Sequence, residues 1–229
     1  MQDILLIIPS YNEEKNIEKV VGELAEKFPE LDYIVVNDGS TDRTAQICRE
    51  RGYHLLNLPV NLGLAGCFQA GMKYACRKGY RYAIQFDGDG QHRPEYIESI
   101  RKKMDEGYDI VIGSRFVDRP KDKSLRMLGS RLISAAIRLT TGVKIADPTS
   151  GMRMFNQEMI REFALRLNYG PEPDTISFLL KQGARISEVP VEISERLAGE
   201  SYLKPAVAAK YMVRMLTSIL LIQNFRKRA

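Results

Sequence analysis

The segment Asp87-Gly88-Asp89-Gly90-Gln91-His92-Arg93-Pro94 follows directly on the apolar run Tyr82-Ala83-Ile84-Gln85-Phe86. Two carboxylates and an amide thus leave the end of a buried strand, and glycines between them let the backbone turn sharply and approach a ligand closely. Hard oxygen donors of this kind suit Mg²⁺ or Mn²⁺, which keep water and substrate phosphates in their remaining positions. The chemistry implied is a divalent cation that holds a diphosphate. Paired acids also occur in solvated loops, so the rest of the chain has to decide.

Other polar groups recur in the same setting. Pro9-Ser10-Tyr11-Asn12-Glu13 follows the first apolar run; Tyr11 can stack on a base, and Glu13 can accept from ribose or base hydrogens, although the segment is also good turn chemistry. No G-x-G-x-x-G fingerprint is present there, which disfavours nicotinamide and flavin chemistry. In Asn37-Asp38-Gly39-Ser40-Thr41-Asp42, a helix start at Ser40 or Thr41 accounts for all but Asp38. An acid at the end of a buried strand needs a partner, and a nucleoside donor is a natural one.

Arginines form a third set: Arg115 after Gly113-Ser114, Arg126 four residues before Ser130, Arg131, and Arg196. Guanidinium forks bind phosphate oxygens in pairs. Arg126 and Ser130 share a helix face at i and i+4, whereas Arg131 reads as a solvated surface residue. Asp147, in Asp147-Pro-Thr-Ser-Gly151, is the first choice for a general base, with an Asx turn as its structural alternative. A phosphate acceptor would need no base at all.

The elements that must position these groups alternate. Ile4–Ile8, Tyr33–Val36, His54–Leu58, Tyr82–Phe86 and Ile110–Ile112 read as strands; Asn16–Phe28, Thr41–Arg51, Ala65–Arg77 and Pro94–Glu106 read as helices. This is an α/β pattern, a mostly parallel sheet with helices on both faces, in which ligands collect at the carboxyl ends of the strands. Further on, Leu125–Thr141, Met159–Leu167 and Ile176–Gln182 are predicted helices. Ile186–Ile193 is strand broken at Pro190, Arg196–Leu203 a polar loop, and Pro205–Phe225 one helix.

At 229 residues the chain suits one domain with a C-terminal appendage. Net charge is a modest +5, but every charged residue after Glu200 is basic (Lys204, Lys210, Arg214, Arg226, Lys227, Arg228). That tail, amphipathic along Val207, Tyr211 and Met215, is expected either to cover the core or to dock on an anionic membrane. Cys48, Cys67 and Cys76 lack metal-ligand spacing and read as reduced cytosolic thiols. No signal peptide is expected, and no apolar stretch of about 18 residues is present.

Taken in order, Pro-Ser-Tyr-Asn-Glu, Asn-Asp-Gly-Ser-x-Asp, Asp-Gly-Asp-Gly-Gln-His-x-Pro, Gly113-Ser114-Arg115 and Asp147-Pro-Thr-Ser-Gly-Met-Arg153 resemble the motifs of family 2 glycosyltransferases. The resemblance runs from Ile4 to about Ser201 and is strongest to the dolichol-phosphate mannose synthase branch, which makes polyprenyl-phosphate sugars on a GT-A fold. It implies a metal site of Asp87, Asp89 and Gln91, with Asp89 the foremost ligand, and a nucleotide pocket of Pro9, Tyr11, Glu13, Asp38 and Asp87. It also implies that Arg115, Arg126 and Ser130 hold a lipid phosphate, joined by Arg196, and it makes Glu172 and Asp174, near where other family 2 enzymes place a base, further candidates beside Asp147. The family's Gly-x-Ser-Lys reads Gly199-Glu200-Ser201-Tyr202 here, a departure near Arg196.

The expected function is an inverting transfer of a hexose to a polyprenyl phosphate for cell-envelope glycan assembly, with Asp89 and Asp147 as catalytic residues. UDP-glucose or UDP-N-acetylglucosamine is the favoured donor and GDP-mannose the next, with Mg²⁺ or Mn²⁺ as cofactor. A saccharide hydroxyl acceptor is the alternative; a nucleotidyltransferase or a non-catalytic nucleotide-binding protein is remote. Residues 1–203 form the expected catalytic domain and 204–229 a docking helix, placed on the cytoplasmic face of the membrane or on a small membrane protein. A homo-oligomer stays open, and no nucleic-acid partner is expected.

Overall fold

The computed structural model describes residues 3–122, 124–167, 169–194 and 205–226. The chain runs β1 (Ile4–Ser10), α1 (Ile17–Lys27), β2 (Asp32–Asn37), α2 (Thr44–Glu50), β3 (Leu55–Asn57), α3 (Gly63–Lys78), β4 (Tyr82–Gln85), α4 (Ile97–Asp105), β5 (Ile110–Ser114), α5 (Leu125–Thr141), β6 (Arg153–Asn156), α6 (Gln157–Leu165), α7 (Pro173–Lys181), β7 (Ile186–Pro190) and α8 (Pro205–Thr217). A π-helical turn (Ser218–Ile222) and a last turn α9 (Gln223–Phe225) extend α8.

The seven strands form one sheet in the order β3-β2-β1-β4-β6-β5-β7. β1 lies near its middle, and alternation along it feeds two cores. Leu5 and Ile7 pack with Phe68, Ile137, Phe155, Phe163 and Phe178 on one side. Leu6 and Ile8 pack with Ile17, Val21, Ile97 and Ile100 on the other. Phe68, Phe155 and Phe163 lock the first core, their ring centroids 5.3–5.4 Å apart.

Four readings need correction. The strand β6 was missed: it pairs antiparallel with both β4 and β5, Phe155 facing Ala83 and Ile110. Its four residues begin with an arginine and run straight into α6, whose N-cap is Asn156, so no local period marks them. Helix α2 starts at Thr44 and not Thr41, because Ser40 and Thr41 are engaged with Asn12. Helix α7 starts at Pro173, its first position, rather than at Ile176. Pro190 ends β7, which among the described residues is an edge strand paired with β5 alone, where a missing N–H is tolerated.

The tail is also more integrated than an appendage. Met215 and Ile219 are fully buried in the same core as Phe68 and Phe163. Arg226 lies over Tyr169 and Phe178, at 3.6 and 4.1 Å from the ring centroids. Arg214 pairs with Glu172 at 3.1 Å. Two of the tail's basic groups are thus turned to the protein itself.

Candidate active site

The segments after β1 and β2 interlock side by side at the carboxyl edge of the sheet. Asn12, at φ 56°, accepts from the Thr41 amide at 2.9 Å and donates its own amide to Ser40 Oγ at 2.9 Å. Thr44 Oγ1 accepts from the Glu13 amide at 2.9 Å, and Asp42 from that of Glu14 at 3.1 Å. Pro9 is half-buried at the strand end and Tyr11 is exposed on the rim. The Glu13 carboxylate accepts from Asn16 Nδ2 at 2.7 Å, so α1 already holds it.

Asp38 has a partner in the protein. Its Oδ1 accepts from the Leu62 amide at 2.7 Å, which ties the segment after β2 to the start of α3. Gly39, at φ 65°, lies so close to Val60 and Asn61 that a Cβ would stand 2.7 Å from their backbone. Only glycine combines that conformation with that approach.

At the end of β4, Asp87 is fixed from both sides. Gln85 Nε2 donates to Oδ1 at 3.2 Å, and His92 Nε2 stands 3.4 Å from Oδ2. His92 Nδ1 accepts from the Asp87 amide at 2.9 Å, so the neutral ring carries its proton on Nε2, aimed at the carboxylate. Asp89 is buried and accepts from the Gln91 amide at 3.1 Å. Gln91 is half-buried, and its carbonyl accepts from the Ser194 amide.

Two neighbours bring the distant motifs to these acids. A Cβ on Gly88 would lie 3.2 Å from Ser10 Oγ, and a Cβ on Gly151 would lie 2.8 Å from Asp87 Oδ2. Gly151 therefore lies against Asp87, and its lack of a side chain keeps a Cβ out of the space before that carboxylate.

Asp147, at the other end of that segment, is fully buried. Arg115 grips it through Nε at 2.6 Å and Nη2 at 2.8 Å, and Thr149 Oγ1 donates to it at 3.1 Å. Burial pushes this carboxyl up, but the Arg115 hydrogen bonds and charge prevail and hold it below its ordinary value. Glu188, from β7, accepts both the Ala146 and Asp147 amides, at 2.6 and 2.7 Å. Expected as a general base, Asp147 is placed here to orient Arg115: it has no exposed edge to offer a substrate.

The other base candidates are similarly engaged. Glu172 accepts from Tyr211 Oη at 2.6 Å and from Arg214. Asp174 accepts from Ser218 Oγ at 2.7 Å and from the Thr175 amide at 2.9 Å. Ser130 is buried and its Oγ accepts from Lys121 Nζ at 2.7 Å. The Arg126 side chain and all of Arg196 lie outside the described residues.

Sequence reasoning assigned no role to Arg153 or Lys121. Arg153 is fully buried on β6, opposite Gln85, and donates to the Pro171 carbonyl and, at 2.6 Å, to that of Pro148. Burial lowers the pKa of this guanidinium, opposed by Tyr211, Glu172, Asp147 and Asp87. Its Nε and the Gln85 Oε1 are buried without a hydrogen-bond partner. An arginine closing the turn motif Asp147–Arg153 was the one available signal. Lys121 carried no signal, because its serine partners are reached only across the turn that leads into α5.

Among the described residues, no cluster of three or more His, Cys, Asp and Glu side chains is placed to hold a metal. A cation here would have Asp87, Asp89 and the Gln91 amide at most, and phosphate oxygens and water would have to complete its shell.

Parallel strands, one antiparallel insertion and acids at the carboxyl edge define a GT-A-type transferase fold. Residues 5–163 match the model of the glycosyl transferase family 2, and the chain belongs to that family. Similar proteins include the polyprenol monophosphomannose synthase of Mycolicibacterium smegmatis, 30% identical over 213 residues (87% of this chain, 80% of the relative). The undecaprenyl-phosphate mannosyltransferase of Micrococcus luteus is 31% identical over 226 residues (93% and 92%). Among solved structures, the glucosyl-3-phosphoglycerate synthase of Mycobacterium tuberculosis, in complex with Mn²⁺, UDP and phosphoglyceric acid, superposes with a TM-score of 0.70 at 21% identity (98% and 79%). Among the described residues, no helix is long and apolar enough to cross a membrane.

Proposed function

We propose that this glycosyltransferase moves a hexose, with inversion, from a nucleotide-diphosphate sugar to a polyprenyl phosphate. One observation carries the reading. The acids at the end of β4 and the arginine at the end of β5 flank a single segment, with Asp87 against Gly151 and Arg115 held by Asp147. A donor diphosphate and an acceptor phosphate then have opposite-sided seats on one scaffold. Both relatives described above are named for polyprenyl-phosphate mannosyl transfer.

The engaged carboxylates support a phosphate acceptor over a saccharide hydroxyl. A hydroxyl needs a base, and Asp147, Glu172 and Asp174 are each hydrogen-bonded within the protein. A phosphate monoester is already anionic at neutral pH. Arg115, with Arg126, Ser130 and Arg196, would hold that phosphate in line with the anomeric carbon, on the face opposite the leaving diphosphate. Pro9, Tyr11, Glu13 and Asp38 would seat the nucleoside.

Asp87, Asp89 and Gln91 fit a Mg²⁺ or Mn²⁺ ion: they are oxygen donors, and the glycine at 151 leaves room before Asp87. When bound, such an ion neutralises charge on the departing nucleoside diphosphate. His92 and Gln85 keep Asp87 aimed, and Arg153 ties the Pro148 and Pro171 turns together behind it.

For location, the outer face of the C-terminal helix supports peripheral attachment to the inner membrane surface, directly or through a small membrane protein. Val213, Leu221, Ile222 and Phe225 are exposed there, Phe225 at 84%. Residues 204–229 would then serve both as core cover and as docking surface.

The test is release of nucleoside diphosphate from UDP-glucose, UDP-N-acetylglucosamine and GDP-mannose, with and without polyprenyl phosphate and divalent cation. Release that requires both supports the reading. Equal release with a soluble saccharide and no lipid phosphate overturns it.

A further inference from the structure

Gln85 and Arg153 stand directly opposite each other where β4 pairs with β6. Opposed residues of an antiparallel pair point to one face, with Cβ atoms about 4.5–5.5 Å apart. Both side chains are buried. Each is also tethered elsewhere: the Arg153 fork to the Pro171 and Pro148 carbonyls, and Gln85 Nε2 to Asp87 Oδ1 at 3.2 Å. What is left over is complementary. The Arg153 Nε–H is a donor and Gln85 Oε1 an acceptor, and neither has a hydrogen-bond partner among the described residues. We infer that one internal water joins these two atoms, and that Arg153 is through it a positioning residue for the cation site, holding Gln85 so that Gln85 can hold Asp87. This rests on the reading of Asp87 as a cation ligand and adds to it the anchor behind that ligand.

The hydrogen-bond inventory carries the link. Turned over, the Gln85 amide would set its oxygen against Asp87 Oδ1, acceptor to acceptor, so Nε2 faces Asp87 and Oε1 is the atom left unbonded. A buried donor and a buried acceptor without partners are both unfavourable, and a water answers both by accepting from Nε and donating to Oε1.

The Asp87 side chain is 36% exposed, so its carboxylate has room to rotate, and Gln85 grips it from the buried side. That grip fixes Asp87 only if Gln85 is itself fixed. Among the described residues the Gln85 side chain makes no second hydrogen bond, and the bridged guanidinium is the anchor within its reach. Charge acts in the same sense. Burial disfavours the charged form of Arg153, and Tyr211, Glu172, Asp147 and Asp87 oppose it. Asp87 thus already feels this cation, and the bridge gives the attraction a defined geometry.

Full-length protein would be titrated calorimetrically with UDP and with GDP, in Mn²⁺ and in chelator. Gln85→Met leaves both Arg153 carbonyl bonds in place, so it should unfold cooperatively near the wild-type midpoint. Its Mn²⁺-dependent nucleotide affinity should fall about tenfold or more, the loss typical of removing the partner behind a metal ligand. In turnover its donor KM should rise while the KM for polyprenyl phosphate stays unchanged. Arg153→Met should show a loss of similar size, and the double variant no more than the larger single loss, because the two residues act in series. If Arg153→Met does not fold, Arg153→Lys, which keeps the charge without the Nε donor, takes its place in the cycle. A crystal structure of the wild type should show the water between Arg153 Nε and Gln85 Oε1.

Wild-type affinity in folded Gln85→Met overturns the inference, as does an additive loss in the double variant or density without that water. Each of these outcomes leaves the cation reading intact. Wild-type nucleotide binding that is equal in Mn²⁺ and in chelator sinks that reading, and this inference with it.

Discussion

Arg115 and Asp147 meet fork to fork, Nε to Oδ2 at 2.6 Å and Nη2 to Oδ1 at 2.8 Å, with the carboxylate fully buried and the guanidinium partly open to solvent. The pair aims a cation at the cleft and uses up the acid in doing so. Replacing Asp147 by Asn should therefore act on orientation and stability, not on proton abstraction. Breaking such a pair costs about 3–5 kcal/mol when fully buried, and the open side of Arg115 places this one at or below the low end. Denaturant unfolding should show that loss, and the acceptor KM should rise more than the donor KM.

The same pair sets an acid limit. A carboxyl held below its ordinary value stabilises the fold above its unfolded pKa of about 3.9, and that contribution is lost as pH falls through the folded value. The thermal midpoint of the wild type should drop below about pH 4 more steeply than that of Asp147→Asn. Parallel curves would show that Asp147 does not contribute.

Asp89→Ala should reduce transfer by at least ~10²-fold, in the range seen when a positioned electrostatic group is removed. A readout free of turnover is the thermal shift produced by Mn²⁺ with UDP. It should be present in the wild type, and absent in Asp89→Ala or with a chelator. A retained shift would move the cation elsewhere.

Arg153→Met keeps most of the apolar stem without charge, but leaves the Pro148 and Pro171 carbonyls without their donor. Each orphaned buried acceptor costs about 1–3 kcal/mol. Arg153→Met should lose stability accordingly, and hydrogen exchange should speed up in the two turns.

The C-terminal helix should show two separable faces. Ile219→Ala, at a fully buried position, should cost about 2–5 kcal/mol. Leu221→Ser with Phe225→Ser, at exposed positions, should leave the midpoint unchanged and weaken flotation with anionic liposomes. Equal flotation of that double variant would remove the membrane role of this face.

Local pattern made part of this protein legible. The apolar runs of β1, β2 and β4, the glycines ending α3 and α4, and the acids after β4 all have signatures within a few residues. The strand β6 does not, since its stability comes from neighbours on both sides that are 68 or more positions away for β4 and over forty for β5. One Asp38 oxygen accepts from the Leu62 amide, 24 residues on, a pairing that could not be seen from the strand end.

Backbone propensity, turn chemistry and hydrophobic period act over one or two turns of chain, so the amino-acid order alone determined the alternating architecture, the family motifs and the oxygen-rich edge. Pairing between remote side chains depends on which loops the sheet brings together. Only the tertiary structure therefore decided that Asp147 belongs to Arg115, that Glu172 and Asp174 belong to the last helix, and that Lys121 reaches two serines of α5.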